Sequence, residues 1–199
     1  RLFFKNERDE GQYDSASSCF WASGTAIMVR RDLFIEAGKF DEIFFAHMEE
    51  IDLCWRLHAM GYEIWVEPMS KIFHKNGATL PMDSHLKFYL NHRNSLIMLF
   101  SNYSLFNALY IGTLRIMLEF VAMGYAIFKL NFNHLTGILR SFVWIIFHPI
   151  TIFRKRMRFK EIRKIKDRII FTKLYQASII ISYYLKRKKT YSEIVSKAA

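Results

Sequence analysis

The stretch Phe40-Asp41-Glu42-Ile43-Phe44-Phe45-Ala46-His47-Met48-Glu49-Glu50-Ile51-Asp52-Leu53-Cys54-Trp55-Arg56 decides how this chain is read. It sets five carboxylates among apolar and aromatic side chains, with no lysine between Lys39 and Arg56. Desolvating a carboxylate beside aromatic rings is costly, so such groups are either kept wet or put to use. The periodicity predicts a helix over 49–60, with Leu53, Leu57 and Met60 on one face and Gly61 as the stop. Glu49, Glu50 and Asp52 then lie in its first turn, where free backbone N–H groups favour anions. Asp52 and Arg56 are four residues apart and positioned to pair. Glu49 and Glu50 diverge by about 100° around the axis, so one can face a cleft while the other packs.

Outward from this stretch, Thr25–Val29 reads as a strand on its β-branched content, and Leu33–Ala37 as a short helix capped by Asp32 and ended by Gly38. Phe44 and Phe45 read as loop aromatics that pack inward. Tyr62–Val66 alternates as a strand closed by Pro68, and Lys71–His74 reads as a second short strand. Asp83 or Ser84 can cap a longer helix through Tyr89, Arg93 and Leu96.

Near Asn94 the composition changes. Up to that residue the chain carries 11 Lys/Arg against 14 Asp/Glu, and beyond it 18 against 4. That asymmetry predicts two parts: residues 1–94, a globular α/β piece, and residues 95–199, an apolar and basic helical region for membrane association. Ser95–Leu114 carries no charge. Continued to Lys129, it places Ser104, Asn107, Ala108, Gly112, Arg115, Glu119, Ala122 and Ala126 on one helical stripe, opposite Leu, Ile, Met, Phe and Tyr. This favours an amphipathic helix lying in a membrane interface over a spanning one, with Arg115 and Glu119 spaced to pair. A second apolar run, Phe142–Phe153, is interrupted at His148-Pro149, and a dense basic run follows it, suited to an anionic membrane surface. Apolar runs beside those basic residues argue against nucleic acid as the partner. Cys19 and Cys54 have no metal or redox spacing and read as reduced thiols.

Ser23-Gly24-Thr25-Ala26, Arg30-Arg31-Asp32-Leu33-Phe34 with Gly38, Phe40-Asp41-Glu42, Glu49-Glu50 with Asp52-Leu53 and Trp55-Arg56, then Gly61-Tyr62, Pro68, His74 and Arg93-Asn94, follow one another in a recognisable order. Over roughly Phe20 to Leu99 this order resembles the carboxy-terminal half of inverting nucleotide-sugar glycosyltransferases of the GT-A (Rossmann-like) fold, the rhamnosyltransferase-like branch in particular. The resemblance implies an α/β fold, the carboxy-terminal portion of such a domain, followed by amphipathic or membrane-associated helices. It implies Glu50 as the catalytic base, where the family usually has aspartate. It places Gly24, Glu49, Trp55 and Arg93 on the substrates, with Trp55 equally readable as a core aromatic and Arg93-Asn94 as facing either the donor or anionic headgroups. It implies His74 as a ligand of a divalent metal (Mg or Mn) or of the donor diphosphate.

The implied partners are a nucleotide-sugar donor, a lipid-linked or polysaccharide acceptor and the cytoplasmic face of the cell membrane. The family's Asp-x-Asp metal motif and upstream βαβ units are not in this sequence. The chain is therefore expected to be a carboxy-terminal piece that is inactive alone. The alternative is a non-catalytic membrane-surface adaptor, which leaves the acidic motif unexplained.

Overall fold

The computed structural model describes residues 7–74 and 84–195. Their secondary structure is mainly helical: α1 (Arg31–Glu36), α2 (Glu49–Ala59), α3 (His85–Asn102), α4 (Leu105–Phe128), α5 (Phe132–Phe147), α6 (Pro149–Ile162), α7 (Asp167–Thr172), α8 (Ile179–Tyr184) and α9 (Tyr191–Val195). Strands β1 (Ser17–Cys19) and β2 (Ile64–Val66) pair antiparallel, with Ser17 opposite Val66 and Cys19 opposite Ile64. Among the described residues this is the only sheet, so the layered parallel sheet of the expected α/β fold is not found there.

Two expected strands are absent as strands. Gly24–Ala26 forms a 3-10 turn, in which the Ser23 hydroxyl accepts the Thr25 amide, and the chain runs on irregularly through Val29 with Met28 98% exposed. Lys71–His74 is irregular and exposed. β-branched content favours a strand only where a ladder partner exists, and neither segment has one here. The helix expected at 33–37 starts two residues earlier. Arg30 holds the cap position, and Asp32, in the first turn, takes the Arg30 guanidinium at 2.6 Å instead of capping. Gly38 then reverses the chain at φ +85. Of the two loop aromatics, Phe44 is fully buried but Phe45 is 76% exposed. Ser84 accepts the Lys87 amide and caps α3; Asp83 lies outside the described residues.

α2 is the centre of the core. Leu53, Leu57 and Met60 pack with Ala37, Val29 and Ile162, while Trp55 and Ala59 pack with Phe159 and Ile170. Residues from α6 and α7 thus complete the core of α2. The Ala59 carbonyl also accepts the amides of Lys164 and Ile165, both at 2.8 Å, satisfying the end of α2 with the chain that leaves α6. The compositional boundary at Asn94 falls inside α3 and is not a structural break.

The amphipathic stretch from 95 to 129 is two helices, divided at Tyr103-Ser104. Its polar stripe is real but faces the protein. The buried residues of α4 are Ala108, Gly112, Glu119 and Ala126, all on the stripe, and the apolar face, including Phe106, Leu109, Met117, Val121 and Phe128, points outward. At Gly112 a methyl would stand 2.7 Å from the Phe100 ring, so any larger residue there would have to displace that ring from between α4 and α3. Arg115 and Glu119 pair at 2.5 Å as expected, and His92 Nδ1 lies 2.6 Å from the same buried carboxylate. α4 is long and apolar enough to cross a membrane, and α5 and α6 meet at a 74° bend where Pro149 opens α6.

Candidate active site

α2 is entered through an unusual loop. Phe45, His47 and Met48 all have left-handed backbone, at φ +60, +66 and +74. For non-glycine residues this costs about 1–2 kcal/mol each and needs support from elsewhere. α3 supplies the support. Asn94, fully buried, donates its amide to the carbonyls of Phe44 (2.9 Å), Ala46 (2.8 Å) and His47 (2.7 Å). Arg93 donates to Ile43 O at 2.6 Å and Phe44 O at 3.3 Å, and its Nε donates to Asn94 Oδ1 at 2.9 Å. The Arg93-Asn94 pair is thus a clamp on the backbone of the acidic loop, a role not included in either of the two expectations for it.

The loop delivers the first turn of α2. Its carboxylates divide as their geometry requires. Asp52 is fully buried and paired with Arg56 (2.9 Å), Lys155 (3.1 Å) and Asn102 (2.7 Å). Lys155 also reaches Asp41 at 2.8 Å, and Arg56 donates to the carbonyls of Ala37 and Lys39. Every charge in this buried network has a partner, so Asp52 is structural. Burial raises the Asp41 carboxyl, but Lys155, the Ile43 amide and Arg56 together outweigh it and the net position is below the ordinary value.

Glu49 and Glu50 are different. Each has one carboxylate oxygen, Oε2, buried and without a hydrogen-bond partner among the described residues; His47 Nε2 is in the same condition. Burial pushes the Glu50 carboxyl above its ordinary value, the backbone amides of Glu50 and Ile51 pull the other way, and Glu49 adds to the rise. Burial and the Lys87 ammonium hold the His47 imidazole below its ordinary value, with Glu49 opposing. A half-buried carboxyl with a raised pKa and an unclaimed oxygen has the features by which perturbed functional carboxyls are recognised.

Gly24 sits against Glu50. A methyl there would lie 3.7 Å from Glu50 Cβ, an ordinary contact, so glycine leaves that approach open rather than relieving a clash. Gly24, Glu49 and Glu50 are therefore brought together. Trp55 is not with them: it is 2% exposed, stacked on Tyr103 at 4.5 Å and edge-on to Phe20 at 5.2 Å. Arg93 is buried in the clamp. His74 is exposed and joins no group of three or more metal-ligating side chains among the described residues.

His47 and the clamping role of Asn94 were not read from the sequence. Lys155 had a signal, since Lys155, Phe159 and Ile162 share one stripe of α6 and an inward lysine on an apolar stripe requires buried acid.

Comparison with known proteins gives a partial match. The chain is 31% identical over 84 residues to the N-acetylglucosaminyl-diphospho-decaprenol L-rhamnosyltransferase of Mycobacterium tuberculosis, in strain CDC 1551 / Oshkosh and in strain ATCC 25618 / H37Rv. The match takes in 42% of this chain and spans about a quarter, 27%, of the length of those relatives. No family model matches the chain, and no solved structure matches it. The similarity is confined to that 84-residue segment of the two rhamnosyltransferases.

Proposed function

We propose that this chain is the acceptor-side part of an inverting glycosyltransferase of the GT-A type, with Glu50 as the general base. The observation that carries the reading is the Glu50 carboxyl itself: in the first turn of α2, half-buried, raised in pKa, one oxygen unclaimed, and presented by a left-handed loop that Arg93 and Asn94 hold in place. Strained backbone that the surrounding structure is built to support marks functional sites. The partial identity to a rhamnosyltransferase is the second support.

In this reading an acceptor hydroxyl donates its proton to Glu50 as its oxygen attacks the anomeric carbon of the donor. The bond from that carbon to the leaving phosphate oxygen breaks, and its electron pair departs with the nucleoside diphosphate. The proton ends on Glu50, and configuration at the anomeric carbon inverts in one displacement. One base suffices because no glycosyl-enzyme intermediate forms; retaining glycoside hydrolysis, by contrast, requires two carboxyl groups. Glu49 and Gly24 flank the acceptor hydroxyl. The donor, and any divalent cation that neutralises the leaving diphosphate, belong to a donor-binding half outside this chain.

We further propose that the acceptor is lipid-linked and that the protein works at the cytoplasmic face of the cell membrane. The outward apolar face of α4, the bend between α5 and α6 and the basic residues of α6 support this. Replacing Glu50→Gln in the complete enzyme tests the catalytic assignment. Sugar transfer is expected to fall by about two to four orders of magnitude, the usual contribution of a general base, with donor KM unchanged. Transfer within a few-fold of the parent would overturn it.

A further inference from the structure

A groove of about 630 Å³ opens between the α3–α4 junction, α6 and the start of α7. Glu49 and Glu50 are not among its lining residues, so it is separate from the candidate active site. Its walls are largely apolar, formed by Tyr103, Leu105, Phe153, Met157 and Phe159. Around them stand five cations: Arg156, Lys160, Arg163, Lys166 and Arg168. One acid lines the groove, Asp167, and its charge is already used. It pairs with Arg163 and accepts from Asn107 Nδ2 and the Ser104 amide, both at 2.7 Å. Arg156 donates to the Phe100 carbonyl at 2.8 Å, with no carboxylate partner among the described residues. Lys160, Lys166 and Arg168 are exposed and make no side-chain hydrogen bond or ion pair among the described residues.

We propose that this groove holds the diphosphate of a polyprenyl-diphosphate lipid, with the first isoprene units against Phe153, Met157 and Leu105. Three arguments lead there. The uncommitted charge is multiple and convergent, which suits a multiply charged headgroup better than a singly charged phospholipid. The walls are apolar, which suits a hydrocarbon chain next to that headgroup and not a soluble anion. Leu105, a lining residue, opens α4, whose exposed apolar residues Phe106 and Leu109 follow it in the chain and offer a hydrocarbon surface next to the groove. The Tyr103 phenol, pushed up to about 12 by burial and by Asp167, keeps its proton. Tyr103 also stacks on Trp55 of α2, the helix that opens with Glu50, so an occupied groove is coupled by packing to that helix. The identity of the lipid rests on the lipid-linked acceptor proposed above; the site itself does not.

The test is equilibrium binding of farnesyl diphosphate to the full chain in a neutral detergent, with no sugar donor present. Saturable binding is expected, with farnesol and inorganic pyrophosphate each at least tenfold weaker. Each cation removed is expected to weaken binding about fivefold. The triple variant Lys160→Gln/Lys166→Gln/Arg168→Gln should therefore lose about a hundredfold, while the charge-matched variant Lys186→Gln/Arg187→Gln/Lys189→Gln, outside the groove, keeps parent affinity. A diazirine-bearing farnesyl diphosphate should cross-link to the peptide carrying Phe153 and Met157, which secures the location even if the triple variant folds poorly. Equal loss in both triples, equal affinity for pyrophosphate alone, equal competition by phosphatidylglycerol, or adducts confined to other segments would each overturn the proposal. A failed sugar-transfer assay with intact binding would instead count against the catalytic reading alone.

Discussion

The clamp of α3 on the acidic loop makes a prediction in which stability and activity part company. In Asn94→Ala, two amide hydrogens that serve the carbonyls of Phe44, Ala46 and His47 are lost, and Arg93 Nε loses its acceptor. Two neutral bonds at about 1 kcal/mol each and one charged-donor bond at about 2 kcal/mol give roughly 4 kcal/mol. Against this, the three left-handed residues Phe45, His47 and Met48 hold about 3 kcal/mol that the loop recovers by relaxing. The relaxed variant is then only about 1 kcal/mol less stable than the parent, a fall of about 2–4 °C in thermal midpoint. The original loop geometry, however, lies about 3 kcal/mol above the relaxed one and is populated at roughly 1%. Transfer by the complete enzyme should therefore drop about a hundredfold while the protein melts almost normally. Asn94→Asp, isosteric but lacking both donors, should behave no better. If Asn94→Asp transfers sugar at the parent rate, the clamp does not position the base.

Other perturbations follow from the same contacts. Lys155→Met leaves the Asp41 and Asp52 carboxylates without their shared cation, and should cost about 3–5 kcal/mol in denaturant unfolding. Gly137→Ala sets a methyl 2.8 Å from Phe88 Cβ and 3.0 Å from the Tyr89 amide nitrogen; because backbone is involved, α5 must move off α3, at about 1–3 kcal/mol. Glu50→Gln should raise the thermal midpoint at neutral pH. A carboxyl whose folded pKa lies above its unfolded value favours the folded state below the unfolded pKa and loses that contribution as pH rises through the folded one, so ionised Glu50 is a liability that glutamine removes. A lowered midpoint would mean that the carboxylate is a structural partner.

The parts of this molecule that were legible in the sequence are those fixed by local chemistry. α2 follows from its apolar spacing and from Gly61, whose φ of +98 is the turn that spacing demands. The Asp52–Arg56 and Arg115–Glu119 pairs follow from helical pitch. What depends on distant partners was not legible. Thr25–Val29 and Lys71–His74 have strand composition but no ladder, and no residue within them records that. The stripe of α4 was visible, but not which side of it meets protein, because that depends on α3 lying against Gly112. Asn94 has no local feature that distinguishes a loop clamp from any helical asparagine. Its three acceptors lie 47 to 50 residues earlier in the chain.

If the Glu50 carboxylate takes the acceptor's proton, its titration governs the pH dependence of kcat/KM for transfer by the complete enzyme. An acid limb is expected whose midpoint lies above the ordinary glutamate value, since burial raises this carboxyl, and that limb should disappear in Glu50→Gln along with most of the rate. An acid limb that persists unchanged in Glu50→Gln would contradict that role, because the titrating group would then be some other residue.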